Sequence, residues 1–103
     1  MEAALRAIAD PSRREILRLI WETERPAGDV ARHFSISRPA VSKHLRVLRE
    51  SGLVDERREG TRRLYRARQD RLAEVRALLD SYWDDSLAGI KRAAEDDAAR
   101  RRT

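Results

Sequence analysis

Apolar residues recur at helical spacing over most of this chain, and the polar residues between them mark where each helix starts and stops. Val41, Leu45 and Leu48 fall at i, i+4 and i+7, which places them on one side of a helix facing a core. Ser37 caps the start of that helix, and Pro39 sits in its first turn, where amides lack an intrahelical partner. Ser51-Gly52 ends it, because glycine adopts a left-handed conformation without strain. Upstream, a short helix over residues 2–9 carries Leu5 and Ile8, and Asp10-Pro11 supplies the cap and first-turn proline of a second helix through about Glu22. Ile16, Leu17 and Ile20 form its buried stripe. Pro26, Ala27 and Gly28 then interrupt the pattern. A third helix, Asp29 to Phe34, contributes Val30 and Phe34, and Ser35, Ile36 and Ser37 form a tight corner before the fourth.

Residues 53–58 and 62–67 are short and arginine-rich, and Glu59-Gly60-Thr61 between them predicts a two-stranded hairpin with glycine at the turn. From Asp70 to Ala94, Leu72, Val75, Leu79, Tyr82, Trp83, Leu87 and Ile90 keep helical spacing, predicting a helix about 37 Å long. The charged tail, residues 96–103, is expected to fray, leaving residues 1–95 as the folded domain. The predicted order is α-α-α-α-β-β-α, mainly α with a small β-hairpin wing.

At 103 residues the chain fits one domain whose core alone is marginal, so a second copy would add stability. No stretch approaches the roughly 18 apolar residues of a membrane span, and the N-terminus lacks the apolar run of a signal peptide. A soluble cytoplasmic protein with no membrane partner is therefore expected. The absence of cysteine rules out disulfides, thiolate metal sites and a cysteine nucleophile.

Charge narrows the function further. The net charge is +5, and 21 of the 23 basic residues are arginine, whose planar fork suits phosphate and guanine. Residues 32–49 hold Arg32, Arg38, Lys43, Arg46 and Arg49 with no acid, and residues 57–71 hold seven arginines against Glu59 and Asp70. Two helices joined by a tight corner and followed by a basic hairpin make a helix-turn-helix with a wing. With Val41, Leu45 and Leu48 turned inward, Ser37, Arg38, Pro39 and Ser42 lie toward the N-terminal end of the recognition helix. Arg38 is the leading base-reading candidate there, with Ser42 beside it. Lys43, Arg46, Arg57, Arg58, Arg62 and Arg63 are assigned to the DNA backbone, where contacts position a protein without reading sequence.

These residues also resemble the ArsR-type winged-helix transcriptional repressors. The similarity is carried by ADPSRREIL (9–17), VARHFSISRPAVSKHLRVLRESGLV (30–54) and the wing RREGTRRLYR (57–66). The resemblance implies a homodimer that binds an inverted-repeat operator in double-stranded promoter DNA and represses it. It also implies a dimer interface built from the first and last helices, onto which Leu5, Ile8, Leu72, Val75, Leu79, Tyr82, Trp83, Leu87 and Ile90 map. The last helix argues the same way by itself, since its apolar stripe needs a covering surface.

Many ArsR-like proteins sense metals through cysteines or an Asp/His set on the last helix. Here cysteine is absent, and Asp80, Asp84 and Asp85 have no histidine on that helix to complete a transition-metal site, so the resemblance is to the metal-independent branch, without a cofactor. His33 and His44 have no carboxylate or nucleophile at a spacing that makes a catalytic site, so no enzyme is expected. Two rival readings remain at this level. One is a regulator responding to a small-molecule effector bound between the terminal helices near Tyr82 and Trp83. The other is a protein-interaction module that uses the winged helix as a scaffold.

Overall fold

The computed structural model describes residues 1–101. Residues 1–73 form one compact unit, and the last helix from Glu74 onward forms a second. In chain order the elements are α1 (Glu2–Ile8), α2 (Pro11–Leu19), β1 (Arg25–Pro26), α3 (Ala27–Arg32), α4 (Arg38–Glu50), β2 (Val54–Glu59), β3 (Arg62–Ala67) and α5 (Gln69–Arg101). The expected mainly helical fold with a basic wing is present, with one strand more than the sequence pattern predicts.

The α1–α2 corner shows why ADPSRREIL folds as it does. Asp10 caps α2 by accepting the Ser12 and Arg13 amides on Oδ1 at 2.8 and 3.2 Å. Arg13 reaches back so that its Nε donates to the Ala7 carbonyl at 2.6 Å, while Arg14 Nη1 donates to the Ile8 carbonyl at 2.8 Å. One short segment thus satisfies orphan amides at the start of α2 and orphan carbonyls at the end of α1. The α1 residues that enter the core are Ala4 and Ala7, leaving Leu5 and Ile8 only half-buried.

The first unit is held together by Ile16, Ile20, Val30, Val41, Leu45, Leu48, Leu53 and Val54, all fully buried, with no buried polar residue among those described. Val41, Leu45 and Leu48 face inward as their spacing requires, and Ser37 Oγ accepts the Ala40 amide at 3.3 Å as the cap of α4. That helix ends in a full Schellman turn. The Leu53 amide donates to the Leu48 carbonyl at 2.9 Å, and the Gly52 amide to the Arg49 carbonyl at 3.0 Å. Gly52 takes a φ of 81° between them, and Leu53 follows it directly into the core.

The wing is a three-stranded antiparallel sheet in the order β1-β3-β2. Its hairpin turns through two residues, Gly60 and Thr61, because Glu59 and Arg62 are already paired. The expected three-residue turn is therefore shorter by one. Gly60, with a φ of 62°, occupies the first central position, where such turns place glycine. Pro26, read from the sequence as an interruption, instead pairs with Leu64 in an edge strand, the position in a sheet that tolerates a missing amide donor.

Helix boundaries also differ from expectation. Helix α2 stops at Leu19 rather than Glu22, and α3 runs over Ala27–Arg32 rather than Asp29–Phe34, leaving Phe34 in the corner and half-buried. Helix α5 continues through residues 96–101, expected to fray, up to Arg101; its 33 residues span about 50 Å. Residues 102 and 103 of the predicted tail lie outside the described residues.

Candidate nucleic-acid interface

Helix α4 presents Arg38, Ser42, Arg46 and Arg49 along one exposed side, at i, i+4, i+8 and i+11, next to its buried stripe. Two clefts open along this side. One, of about 520 Å³, lies between α3, α4 and the wing; Gly28, Arg32, Arg38, Ser42, Arg62 and Tyr65 are among the residues lining it. The second, of about 210 Å³, is walled by Ser42, Arg46 and Arg49 on the helix and by Glu56, Arg63 and Tyr65 on the wing.

Strand register divides the four wing arginines into two pairs. Arg58 lies opposite Arg63, on the same face of the sheet as Glu56 and Tyr65, which also lie opposite each other. Arg57 lies opposite Leu64, and Arg62 opposite Glu59, on the other face. The sequence pattern alone treats all four alike, but alternation along a strand sends neighbours to opposite sides.

Ion pairing divides the basic residues again. The Arg57 guanidinium donates to Glu24 and, at 2.9 Å, to Glu59. Those hydrogen bonds raise the Arg57 pKa still further, and the Arg57 bond holds Glu24 below the ordinary carboxylate range. Arg32 is paired with Asp29 one turn before it. Arg49 donates to Glu56 at 2.5 Å, and Glu56 also lies 3.5 Å from Arg63 Nε. Among the described residues, Arg38, Lys43, Arg46, Arg58 and Arg62 form no salt bridge. Five cations thus keep their forks or ammonium free, whereas Arg57, a backbone-contact candidate from the sequence, has two carboxylates already.

Three features of this surface escaped sequence reasoning. Glu56 and Tyr65 line the smaller cleft, and only the hairpin register, fixed by the two-residue turn at Gly60, could have pointed to them. Glu24 is 33 residues from Arg57, and no local signal links them. Neither histidine is hydrogen-bonded to a carboxylate or a nucleophile among the described residues. His33 Nδ1 donates to the Asp29 carbonyl at 2.8 Å at the end of α3. His44 is half-buried, and its Nδ1 is enclosed without a hydrogen-bond partner among the described residues.

On α5, Leu79, Tyr82, Trp83, Leu87 and Ile90 are exposed, with Tyr82 at 68% and Trp83 at 60%. Leu78, which the spacing argument omitted, is exposed beside them. Val75 is buried in the single chain and Leu72 half-buried, so these two have less surface left for a partner than the rest of the row. No group of three His, Cys, Asp or Glu side chains among the described residues could hold a metal ion, and no described helix is long and apolar enough to cross a membrane.

Residues 10–56, from the Asp10 cap to Glu56, match the family model described as bacterial regulatory protein, arsR family. The chain is 41% identical over 88 residues to the HTH-type transcriptional regulator Rv2034 of Mycobacterium tuberculosis, covering 85% of this chain and 82% of that one. It is 42% identical over 60 residues to the transcriptional repressor SdpR of Bacillus subtilis, covering 58% and 67%. Its fold is similar to the solution structure of the homodimeric winged helix-turn-helix DNA-binding domain Mb0332 of Mycobacterium bovis. There the TM-score is 0.66 at 32% identity, over 82% of this chain and 78% of the other. A capped recognition helix, a basic wing and relatives of this similarity lead to one conclusion: the chain belongs to the ArsR family of bacterial regulatory proteins, which are DNA-binding transcriptional regulators and not enzymes.

Proposed function

We propose that this chain is a sequence-specific repressor that binds an inverted-repeat operator as a homodimer and needs no metal ion to do so. The observation that carries the reading is the exposed side of α4, where Arg38, Ser42 and Arg46 face two clefts shared with the wing and the two arginines have no carboxylate partner among the described residues. A helix of this kind enters the major groove with its N-terminal residues on base edges. Arg38, in its first turn, reads bases, with Ser42 one turn further on; Ser37 and Pro39 shape the entry. Lys43, Arg46, Arg58, Arg62 and Arg63 serve phosphates.

The dimer reading is supported by α5. Leu79, Tyr82, Trp83, Leu87 and Ile90 leave an apolar row in water, which association with a second copy would cover. The related Mb0332 domain is itself homodimeric. Leu5 and Ile8, left half-buried by α1, are further apolar residues for such an interface. Two recognition helices in such a dimer would meet successive major grooves about 34 Å apart. Metal independence is supported by the donor set, which lacks cysteine altogether.

The deciding experiment is selection of bound duplexes from a randomised library, followed by titration at several salt concentrations. The expected result is an enriched inverted repeat bound in the presence of a chelator, with affinity falling steeply as salt rises. Salt-insensitive binding or the absence of an enriched motif would refute the proposal.

A further inference from the structure

Glu56 is the one carboxylate in the smaller cleft between α4 and the wing, among Ser42, Arg46, Arg49, Arg63 and Tyr65. Its side chain is only 18% exposed, and its two oxygens serve different elements. Oε2 accepts from Arg49 Nη1 at 2.5 Å, in the last turn of α4, and Oε1 lies 3.5 Å from Arg63 Nε on β3. The partner arginines are themselves half-exposed, at 42% and 54%, so the bridge adds little to folding. On a surface meant for a polyanion, a carboxylate also works against association. Its placement therefore calls for a reason other than stability or raw affinity.

Resting on the DNA-binding role proposed above, we infer that Glu56 is a specificity-determining positioning residue, whose carboxylate occupies Arg49 and anchors Arg63 so that the wing keeps its place beside the recognition helix. Phosphate contacts carry no sequence information, and every arginine released to make one raises affinity for all DNA equally. By occupying Arg49, Glu56 lowers that shared component. That component cancels when two sequences are compared, so the effect of Glu56 on discrimination runs through the wing. By anchoring Arg63, it also limits the approaches the wing can make, so that the helix meets the groove in one register.

The test compares wild type with Glu56→Gln, which keeps the shape and removes the charge. The probes are the duplex enriched by wild type from a randomised library and a scrambled duplex of equal composition. Glu56→Gln is expected to bind the scrambled duplex several-fold more tightly and to lose about tenfold in the enriched-to-scrambled ratio, the low end of what one base contact supplies. Its salt slope should steepen by about 0.9 for each further phosphate that a released arginine neutralises. A lower melting temperature with parallel weakening on both duplexes would make Glu56 merely structural and overturn the inference, as would an unchanged ratio and slope. Arg49→Ala gives a second reading that leaves Glu56 in place. With Arg49 already occupied, its salt slope should equal that of wild type, and a slope shallower by about 0.9 would overturn the assignment. If wild type itself does not distinguish the two duplexes, the proposed function fails and this inference with it. A discriminating wild type with an indifferent Glu56→Gln removes the inference alone.

Discussion

Arg58 and Arg63 face each other directly across the wing hairpin, on the sheet face that also carries Glu56 and Tyr65. Two cations at that spacing repel; Glu56, on the same face, lies against Arg63, and Arg58 forms no salt bridge among the described residues. A backbone phosphate would supply the missing negative charge. Arg58→Ala is therefore expected to weaken binding to every duplex alike and to reduce the salt slope by about 0.9, with no fall in melting temperature. Arg57→Ala, one residue away on the opposite face and held by Glu24 and Glu59, should leave DNA affinity and slope unchanged. Titration of both variants against one duplex over a salt series checks the contrast; equal losses would mean that the two faces of the wing are equivalent.

Arg38 lies in the first turn of α4 and lines the larger cleft, close to Gly28 of α3. Arg38→Ala should cost about 1–3 kcal/mol on the enriched duplex and much less on a scrambled one, as expected for loss of one base contact. Competition binding with the two duplexes measures the difference. An equal loss on both would reassign Arg38 to the backbone.

The recognition helix was legible in the sequence because everything that defines it is local: Ser37 at the cap, Pro39 in the first turn, the Val41-Leu45-Leu48 row, and Gly52 at the end. Its free residues could be named for the same reason. What stayed hidden depends on how separate elements meet. Strand β1 is two residues long and contains a proline, so it has no strand signature of its own and exists because β3 offers it an edge. The pairings of Arg57 with Glu24 and of Arg49 with Glu56 need the wing folded beside its neighbours. The division of the wing arginines was within reach, since a two-residue turn at Gly60-Thr61 fixes the register; reading Glu59 into the turn obscured it.

Asp10 ties local sequence to pH dependence. Its carboxylate is held below the ordinary value of 3.8, mainly by the backbone hydrogen bond from Arg13, then by that from Ser12 and by the nearby charges of Arg13 and His44. A carboxyl depressed in the folded state contributes stability that is fully present above the unfolded value and is lost as pH falls through the folded one. Asp10→Ala is expected to cost about 0.5–2 kcal/mol at neutral pH. The gap between variant and wild type should close in acid, below 3.8. Denaturant melts at neutral and acid pH provide the check, and a gap independent of pH would show that the cap acts through shape alone.

Gly52 sits between α4 and the buried Leu53 with a φ of 81°, and a Cβ there would meet nothing within 4 Å. The cost of Gly52→Ala is thus conformational rather than steric with its surroundings, about 1–2 kcal/mol for a non-glycine residue in the left-handed region. Gly52→Asn should recover part of the loss, because asparagine enters that region more readily. Comparing the melting temperatures of the two variants tests the argument; equal destabilisation would point instead to a packing role.

The dimer proposed here depends on α5, so its apolar row is where a charge should act. Leu79, Trp83 and Leu87 follow one another at i, i+4 and i+8, and all three are exposed in the single chain. A charge placed among them would remain solvated in a monomer but would be buried unpaired between two copies, a penalty of several kcal/mol. Leu87→Asp is therefore expected to sediment as a monomer while keeping its helical circular dichroism, since Leu87 is not part of the core of Ile16, Val41, Leu45 and Leu48. Losing the dimer also separates the two recognition helices, so affinity for an inverted repeat should fall toward that of a single half-site, whereas affinity for an isolated half-site should stay the same. A Leu87→Asp protein that remains dimeric would move the interface away from this row.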